Sequence, residues 1–307
     1  MKRLSEKINQ LSKEKNAVIL AHVYQRDEVQ AVAHYTGDSL ALSRTAVDVD
    51  ADVIVLCGVR FMAETAEILN PDKIVLLPER DAGCPLADMA SVEELLIKKE
   101  EYHKAAVVSY VNSSAAIKAE SDICCTSSNA VKIVNSLNEK QVIFVPDQNL
   151  GRYVTDKTNK EIILWPGFCR VHHYKIKVKD IKKVKEIHPE ARIMVHPECP
   201  PRVIDLADFV GSTAQMLRYT SKCSAKEYIV GTERGLFYEL KRQNPGKNFY
   251  LPSKDIICEN MKKITLEKVA YSLENMCFEV TVPEEVRIKA KRALDRMLEI
   301  ARLDVHI

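Results

Sequence analysis

The same landmarks return three times along this chain, first after 88 residues and then after 86. Apolar runs at Val18–Ala21, Ala105–Ser109 and Ala191–Val195 end in His22-x-Tyr24, Tyr110-x-Asn112 and His196-x-Glu198. Small hydroxylated residues follow in register at Ser39, Ser127 and Thr213. A second apolar run in each unit, Val53–Leu56, Val142–Val145 and Tyr228–Val230, leads to Gly58, Pro146 and Gly231-Thr232. A third, Ile74–Leu77, Ile162–Trp165 and Phe249–Leu251, stops at Pro78, Pro166 and Pro252. Independent landmarks that share one pair of offsets mark three homologous modules.

The runs are β-branched or aliphatic and of strand length. Between them, Asp38–Val49 and Ser91–Glu101 read as helices with one apolar face. Strand–helix alternation with uniformly apolar strands predicts parallel sheets covered by helices. The expected fold is therefore α/β: three αβα modules with parallel sheets arranged about a pseudo-threefold axis. The expected boundaries are 1–103 with an N-terminal helix, 104–189, and 190–307 with a C-terminal helix.

In parallel sheets of this kind, polar residues just past the strand C-termini form the binding crevice. His22, Tyr24, Tyr110, Asn112, His196 and Glu198 hold that place. One such pair alone reads equally well as an ordinary turn; three in equivalent positions favour a site. Ser39, Ser127 and Thr213 fall at predicted helix starts, where a hydroxyl caps the helix and free amides favour anions.

Just past each module's third strand stands a cysteine: Cys84, Cys169 and Cys258, at 6, 3 and 6 residues beyond the three prolines. Modules packed about one axis would bring the three thiols together. Three thiolates suit three irons of a cubane and leave the fourth iron without a protein ligand. Zinc competes, because Cys169-x-x-His172 has zinc-ligand spacing and three Cys with one His is a structural zinc set. Such sites usually take two ligands from one short loop, whereas each loop here offers one thiol. Cys57 and Cys277 lie in apolar stretches and read as core.

The chain's nine cysteines include no Cys-x-x-Cys pair, which excludes zinc ribbons and thioredoxin-type motifs. Met1–Lys15 mixes Lys, Arg and Glu and reads as a short amphipathic helix rather than a secretion signal. Reduced thiols and a cytoplasmic location are the expectation. Basic and acidic residues number 45 and 43, and no apolar run approaches a membrane span. Neither nucleic acid nor membrane is an expected partner.

The ordered motifs resemble one known family along essentially the whole chain. They include Ala21-His22-Val23-Tyr24-Gln25, Gly37-Asp38-Ser39, Cys84-Pro85, Tyr110-Val111-Asn112-Ser113 and Cys125-Thr126-Ser127-Ser128-Asn129-Ala130. Pro146-Asp147-Gln148-Asn149-Leu150-Gly151, Cys169-x-x-His172, His196-Pro197-Glu198-Cys199-Pro200, Gly211-Ser212-Thr213 and Cys258-x-Asn260-Met261 follow. The family is quinolinate synthase, of de novo NAD biosynthesis. One departure is Arg170, which follows Cys169 where many members carry proline.

The resemblance implies condensation of iminoaspartate with dihydroxyacetone phosphate, giving quinolinate, phosphate and two waters. It implies a [4Fe–4S] cluster on Cys84, Cys169 and Cys258, whose open iron acts as a Lewis acid in the final dehydration. Functional coupling to an iminoaspartate-producing enzyme follows from that substrate. Proton transfer falls to Glu198 as general acid/base with Tyr24 as its partner, and Tyr110 assists. A partly desolvated carboxylate there would have a raised pKa. His22, Ser39, Asn112, Ser127, His172, His196 and Thr213 complete the expected substrate-binding set. A zinc-dependent aldolase or hydrolase and a non-catalytic iron–sulfur sensor are the competing readings.

Overall fold

The computed structural model describes residues 2–302. Each third of the chain builds one four-stranded parallel sheet. The first holds β1 (Ala17–His22), β2 (Tyr35–Gly37), β3 (Val53–Cys57) and β4 (Ile74–Leu76) in the order β2-β1-β3-β4. The second repeats that order with β5 (Ala106–Tyr110), β6 (Ile123–Cys125), β7 (Gln141–Val145) and β8 (Glu161–Leu164), as β6-β5-β7-β8. The third does so with β9 (Arg192–Val195), β10 (Phe209–Val210), β11 (Glu227–Gly231) and β12 (Asn248–Tyr250), as β10-β9-β11-β12. The three αβα modules expected from the repeat are therefore present.

β3 and β5 are buried at every position, as strands covered on both faces must be. Two central strands pair in each sheet, β1 with β3 through Ala17–Val53 to Ala21–Cys57, and β5 with β7 likewise. The chain leaves this pair toward opposite edges. The order reverses there, and a crevice opens beyond the strand C-termini. The residues that follow β1, β5 and β9 stand at that crevice in all three modules.

Two C-terminal helices fall in the third stretch of sequence but pack elsewhere. Leu266–Asn275 lies on the N-terminal helix Lys2–Glu14, and Glu284–Arg302 lies on β6, the Ala115–Ala119 helix and the Arg60–Leu69 helix. Ala290, Ala293, Leu294, Met297 and Leu298 of the long helix are buried, the i, i+3, i+4, i+7, i+8 stripe of one helical face. The helix joins the first two modules into one core, while the third module has cores of its own. Emptying the middle of that stripe with Leu294→Ala costs about 2–5 kcal/mol.

At the axis, the Ser128 hydroxyl lies 2.8 Å from Asp38 Oδ2 and 2.7 Å from Ser212 Oγ, joining all three modules. Among the described residues, no helix is long and apolar enough to cross a membrane.

Candidate active site

The strand ends of all three modules surround one cavity of about 470 Å³. Every residue singled out in the sequence lines it: His22, Tyr24 and Ser39 from the first module, Tyr110, Asn112 and Ser127 from the second, His196, Glu198 and Thr213 from the third, with His172 and the three cysteines Cys84, Cys169 and Cys258.

The first and third modules use one local device at the strand end. His22 Nδ1 accepts the Tyr24 backbone N–H at 3.0 Å, and His196 Nδ1 accepts that of Glu198 at 3.3 Å. An acceptor at Nδ1 leaves the ring proton on Nε2. Burial pushes both rings down to about 3, so they are neutral near pH 7. His196 Nε2 then donates to Ser127 Oγ, 3.2 Å away in the second module.

Glu198 is the centre of the polar network and is 2% exposed. A π-helical turn, Val171–Lys175, brings in His172, whose ring stacks on His196 with centroids 4.5 Å apart. His172 Nδ1 is 2.6 Å from Glu198 Oε2 and 3.3 Å from Cys169 Sγ. Its Nε2 is 2.9 Å from Thr232 Oγ1, which is itself 2.6 Å from Tyr24 Oη. The Tyr110 hydroxyl faces the Glu198 carboxylate, and Asn149 Nδ2 donates to the Glu198 carbonyl at 3.0 Å. Burial alone would raise the Glu198 carboxyl. The electrostatic pull of the His196 and His172 rings beside it, helped by hydrogen bonding to the charged form, outweighs burial and holds the group below the usual carboxylate range. Burial first, and then the Glu198 charge, push the Tyr24 and Tyr110 hydroxyls well above their ordinary value, so both stay protonated donors.

One expectation changes here. The resting Glu198 pKa is lowered rather than raised, because burial comes with two imidazole rings beside the carboxylate. Tyr24 reaches Glu198 through His172, directly at 3.5 Å and by way of Thr232, while the Tyr110 hydroxyl faces the carboxylate itself.

The opposite wall is built from helix starts, and here too the detail differs. The caps are the preceding residues: Asp38 Oδ1 accepts the Ala41 N–H at 2.9 Å, and Ser212 forms a capping box with Gln215. Ser39 and Thr213 are first helical residues, and Ser127 precedes the Asn129 that opens the next helix. Their hydroxyls are therefore not spent as caps. Asn112 Oδ1 is buried and has no partner among the described residues.

The three cysteines are free thiols. Burial pushes Cys84 up to about 12 and Cys169 and Cys258 above their ordinary value. The sulfurs are close enough that charge on Cys258 raises Cys84, and charge on Cys258 and Cys84 raises Cys169. Three buried thiolates are stable only with a compensating cation, and a soft all-sulfur donor set from three loops fits an iron–sulfur cluster.

A second donor set, Cys169, His172 and Glu198, has ligand atoms all within 4.8 Å of one another. Ligands around a tetrahedral zinc stand about 3.3–3.8 Å apart. The His172–Glu198 separation of 2.6 Å is a direct hydrogen bond with no room for an ion between the atoms.

Thr232 and Asn149 were not among the expected site residues. Thr232 stands 86 residues after Pro146, so the repeat register points to it. Asn149 has no such signal; it is aimed by its place in the first turn of the Gln148–Thr155 helix.

A family model described as quinolinate synthetase A protein matches residues 6–299. Quinolinate synthase 2 of Methanosarcina acetivorans is 54% identical over 298 residues, covering 97% of this chain and 96% of that protein. Quinolinate synthase of Geobacter sp. strain M21 is 55% identical over 299 residues, with 97% and 98% covered. That of Caldicellulosiruptor saccharolyticus is 51% identical over 302 residues, with 98% and 99% covered.

Proposed function

Since the chain belongs to the quinolinate synthase family, we propose that it condenses iminoaspartate with dihydroxyacetone phosphate to give quinolinate, phosphate and two waters. In this reading Cys84, Cys169 and Cys258 hold a [4Fe–4S] cluster with one iron free of protein ligands. The observation that carries it is the meeting, on one cavity, of three unpaired thiols with polar strand ends from all three modules. When bound, the cluster supplies a Lewis-acidic iron for the hydroxyl lost in dehydration.

The chain's own residues divide the remaining work. Substrates with two carboxylates and a phosphate need hydrogen-bond donors, and the hydroxyls of Ser39, Ser127 and Thr213 and the amide of Asn112 line the cavity. His22 and His196, neutral and held through Nδ1, present an Nε2–H each. Arg170 and Lys175 add positive charge to the same lining.

Isomerisation and condensation both move protons at carbons beside a carbonyl or imine. Glu198, ionised at rest, takes such a proton. An anionic substrate at the carboxylate raises its pKa toward working pH and improves it as a base. Tyr110 and His172 hold the carboxylate in place, and Tyr24 returns a proton through Thr232 and His172. Iminoaspartate is an unstable imine, so a partner enzyme that produces it is the natural source.

The competing reading, a mononuclear metal enzyme, would use Cys169, His172 and Glu198 and needs the His172–Glu198 hydrogen bond to open for the ion. Both readings meet the same test. Anaerobically reconstituted protein is given iminoaspartate and dihydroxyacetone phosphate, and quinolinate is followed by chromatography beside iron, sulfide and zinc content. The cluster reading expects quinolinate, with iron and sulfide present, and loss of product and cluster in Cys84→Ala, Cys169→Ala and Cys258→Ala. Zinc without sulfide, and turnover that survives Cys84→Ala and Cys258→Ala, would favour the mononuclear site.

A further inference from the structure

We propose that Asp147 and Glu233 are paired positioning residues that fix two of the three cysteine loops and link each to a catalytic turn. The inference rests on the cluster reading above. The two carboxylates stand 86 residues apart, each two positions past the middle strand of its sheet, β7 or β11. Both are fully buried. Asp147 Oδ2 accepts the backbone N–H of Cys169 at 3.0 Å, and Glu233 Oε1 accepts that of Cys258 at 3.1 Å. Two modules thus pin the amide of their cysteine to an equivalent carboxylate. A buried amide held by a buried carboxylate oxygen is a strong tether, because either group left unpaired would be costly.

The remaining oxygen of each carboxylate reaches toward the chemistry. Asp147 Oδ1 accepts the N–H groups of Asn149 and Leu150 at 2.9 and 2.8 Å, and Asn149 in turn holds the Glu198 carbonyl. Glu233 Oε2 accepts the Gly235 N–H at 2.6 Å and a hydrogen bond from Lys262 Nζ at 3.3 Å, and Lys262 also donates to the carbonyls of Tyr24 and Gln25. One relay runs Cys169–Asp147–Asn149–Glu198 and the other Cys258–Glu233–Lys262–Tyr24. Each crosses a module boundary.

The first module lacks the device. Val59 holds the equivalent position, 88 residues before Asp147. The Cys84 loop is tied instead at its approach, through Arg60 N–H to the Ala82 carbonyl at 2.8 Å and Lys263 Nζ to the Asp81 carbonyl at 2.7 Å, with no carboxylate on the Cys84 amide among the described residues. The cysteine amides are therefore unequal: two are held by a buried carboxylate and the third is not.

The test uses full-length protein reconstituted anaerobically. Asp147→Asn and Glu233→Gln keep the side-chain shape but remove an acceptor. Glu239→Gln is the control, a buried carboxylate on the Leu236–Gln243 helix that is bonded to Arg242 and Gln243. The first two variants should release iron to a chelator about ten- to a hundredfold faster than the parent, and their clusters should have shifted reduction potentials because the hydrogen bond that fixes the ligating loop is altered. Glu239→Gln should match the parent in both. A second readout needs no variant: in the parent, the amides of Cys169 and Cys258 should exchange hydrogen at least about tenfold more slowly than that of Cys84. Parental release rates and potentials in Asp147→Asn and Glu233→Gln would overturn the inference, as would equal exchange at the three amides. A parent that takes up no iron and sulfide at all would overturn the cluster reading itself.

Discussion

The two walls of the cavity are finished to different degrees. On the Glu198 wall nearly every polar atom has a protein partner: His172, Tyr110, Thr232 and Tyr24 form a continuous network. On the helix-start wall the capping is done one residue earlier, by Asp38 and Ser212, and Asn112 Oδ1 has no partner among the described residues. Groups that must transfer protons need fixed geometry before substrate arrives. Groups that hold substrate gain most when their hydrogen bonds are completed by it. The first wall is built to react and the second to bind.

Substitutions should separate the two. The largest effect is expected at Glu198→Gln, which removes the base and should slow quinolinate formation by about 10³-fold, with KM near the parent's. A rate within tenfold of the parent would take Glu198 out of the proton-transfer role. Asn112→Ala belongs to the other wall and should lower kcat/KM about ten- to a hundredfold, mostly through KM. Loss of kcat at constant KM would erase the distinction between the walls.

Acid should expose how dry the reacting wall is. His22 and His196 titrate at about 3 in the folded protein against 6.5 when unfolded. Below pH 6.5 the unfolded chain therefore binds protons that the folded protein refuses, and stability falls as pH drops from 6.5 toward 3. Between pH 7 and 5 each ring should cost about 2 kcal/mol, at about 1.4 kcal/mol per pKa unit. Urea unfolding of metal-free protein at the two pH values checks this, and His22→Gln should show a drop smaller by about that amount. An unchanged drop would mean the ring is hydrated. The smallest effect concerns the caps: Ser212→Ala should lose about 1 kcal/mol of stability, whereas Ser39→Ala should lose less than about 0.5 kcal/mol and raise KM instead. Equal thermal losses would make Ser39 a cap after all.

Much of this is legible in the sequence because the offsets of 88 and 86 residues align strand ends that meet in space. Nine of the strands and the cavity residues His22, Tyr110 and His196 follow from that register alone. The edge strands β2, β6 and β10 do not, since two or three residues are too few to show a period. The stripe on Glu284–Arg302 announces a buried face but not what buries it. Partnership across modules is likewise hidden: whether Tyr24 or Tyr110 bonds Glu198 depends on the packing of three sheets, which no local spacing encodes. The pKa of Glu198 fails for a related reason, because desolvation can be anticipated from an apolar neighbourhood while the opposing pull of the His196 and His172 rings depends on how the fold aims them.

Anomalous diffraction at the iron edge, from crystals of the reconstituted protein grown without oxygen, would look at the shared cavity directly. Iron density bounded by the sulfurs of Cys84, Cys169 and Cys258, with one iron facing Glu198 and the helix-start wall, is the expected result. A single metal peak among Cys169, His172 and Glu198, with Cys84 and Cys258 unligated, would contradict it.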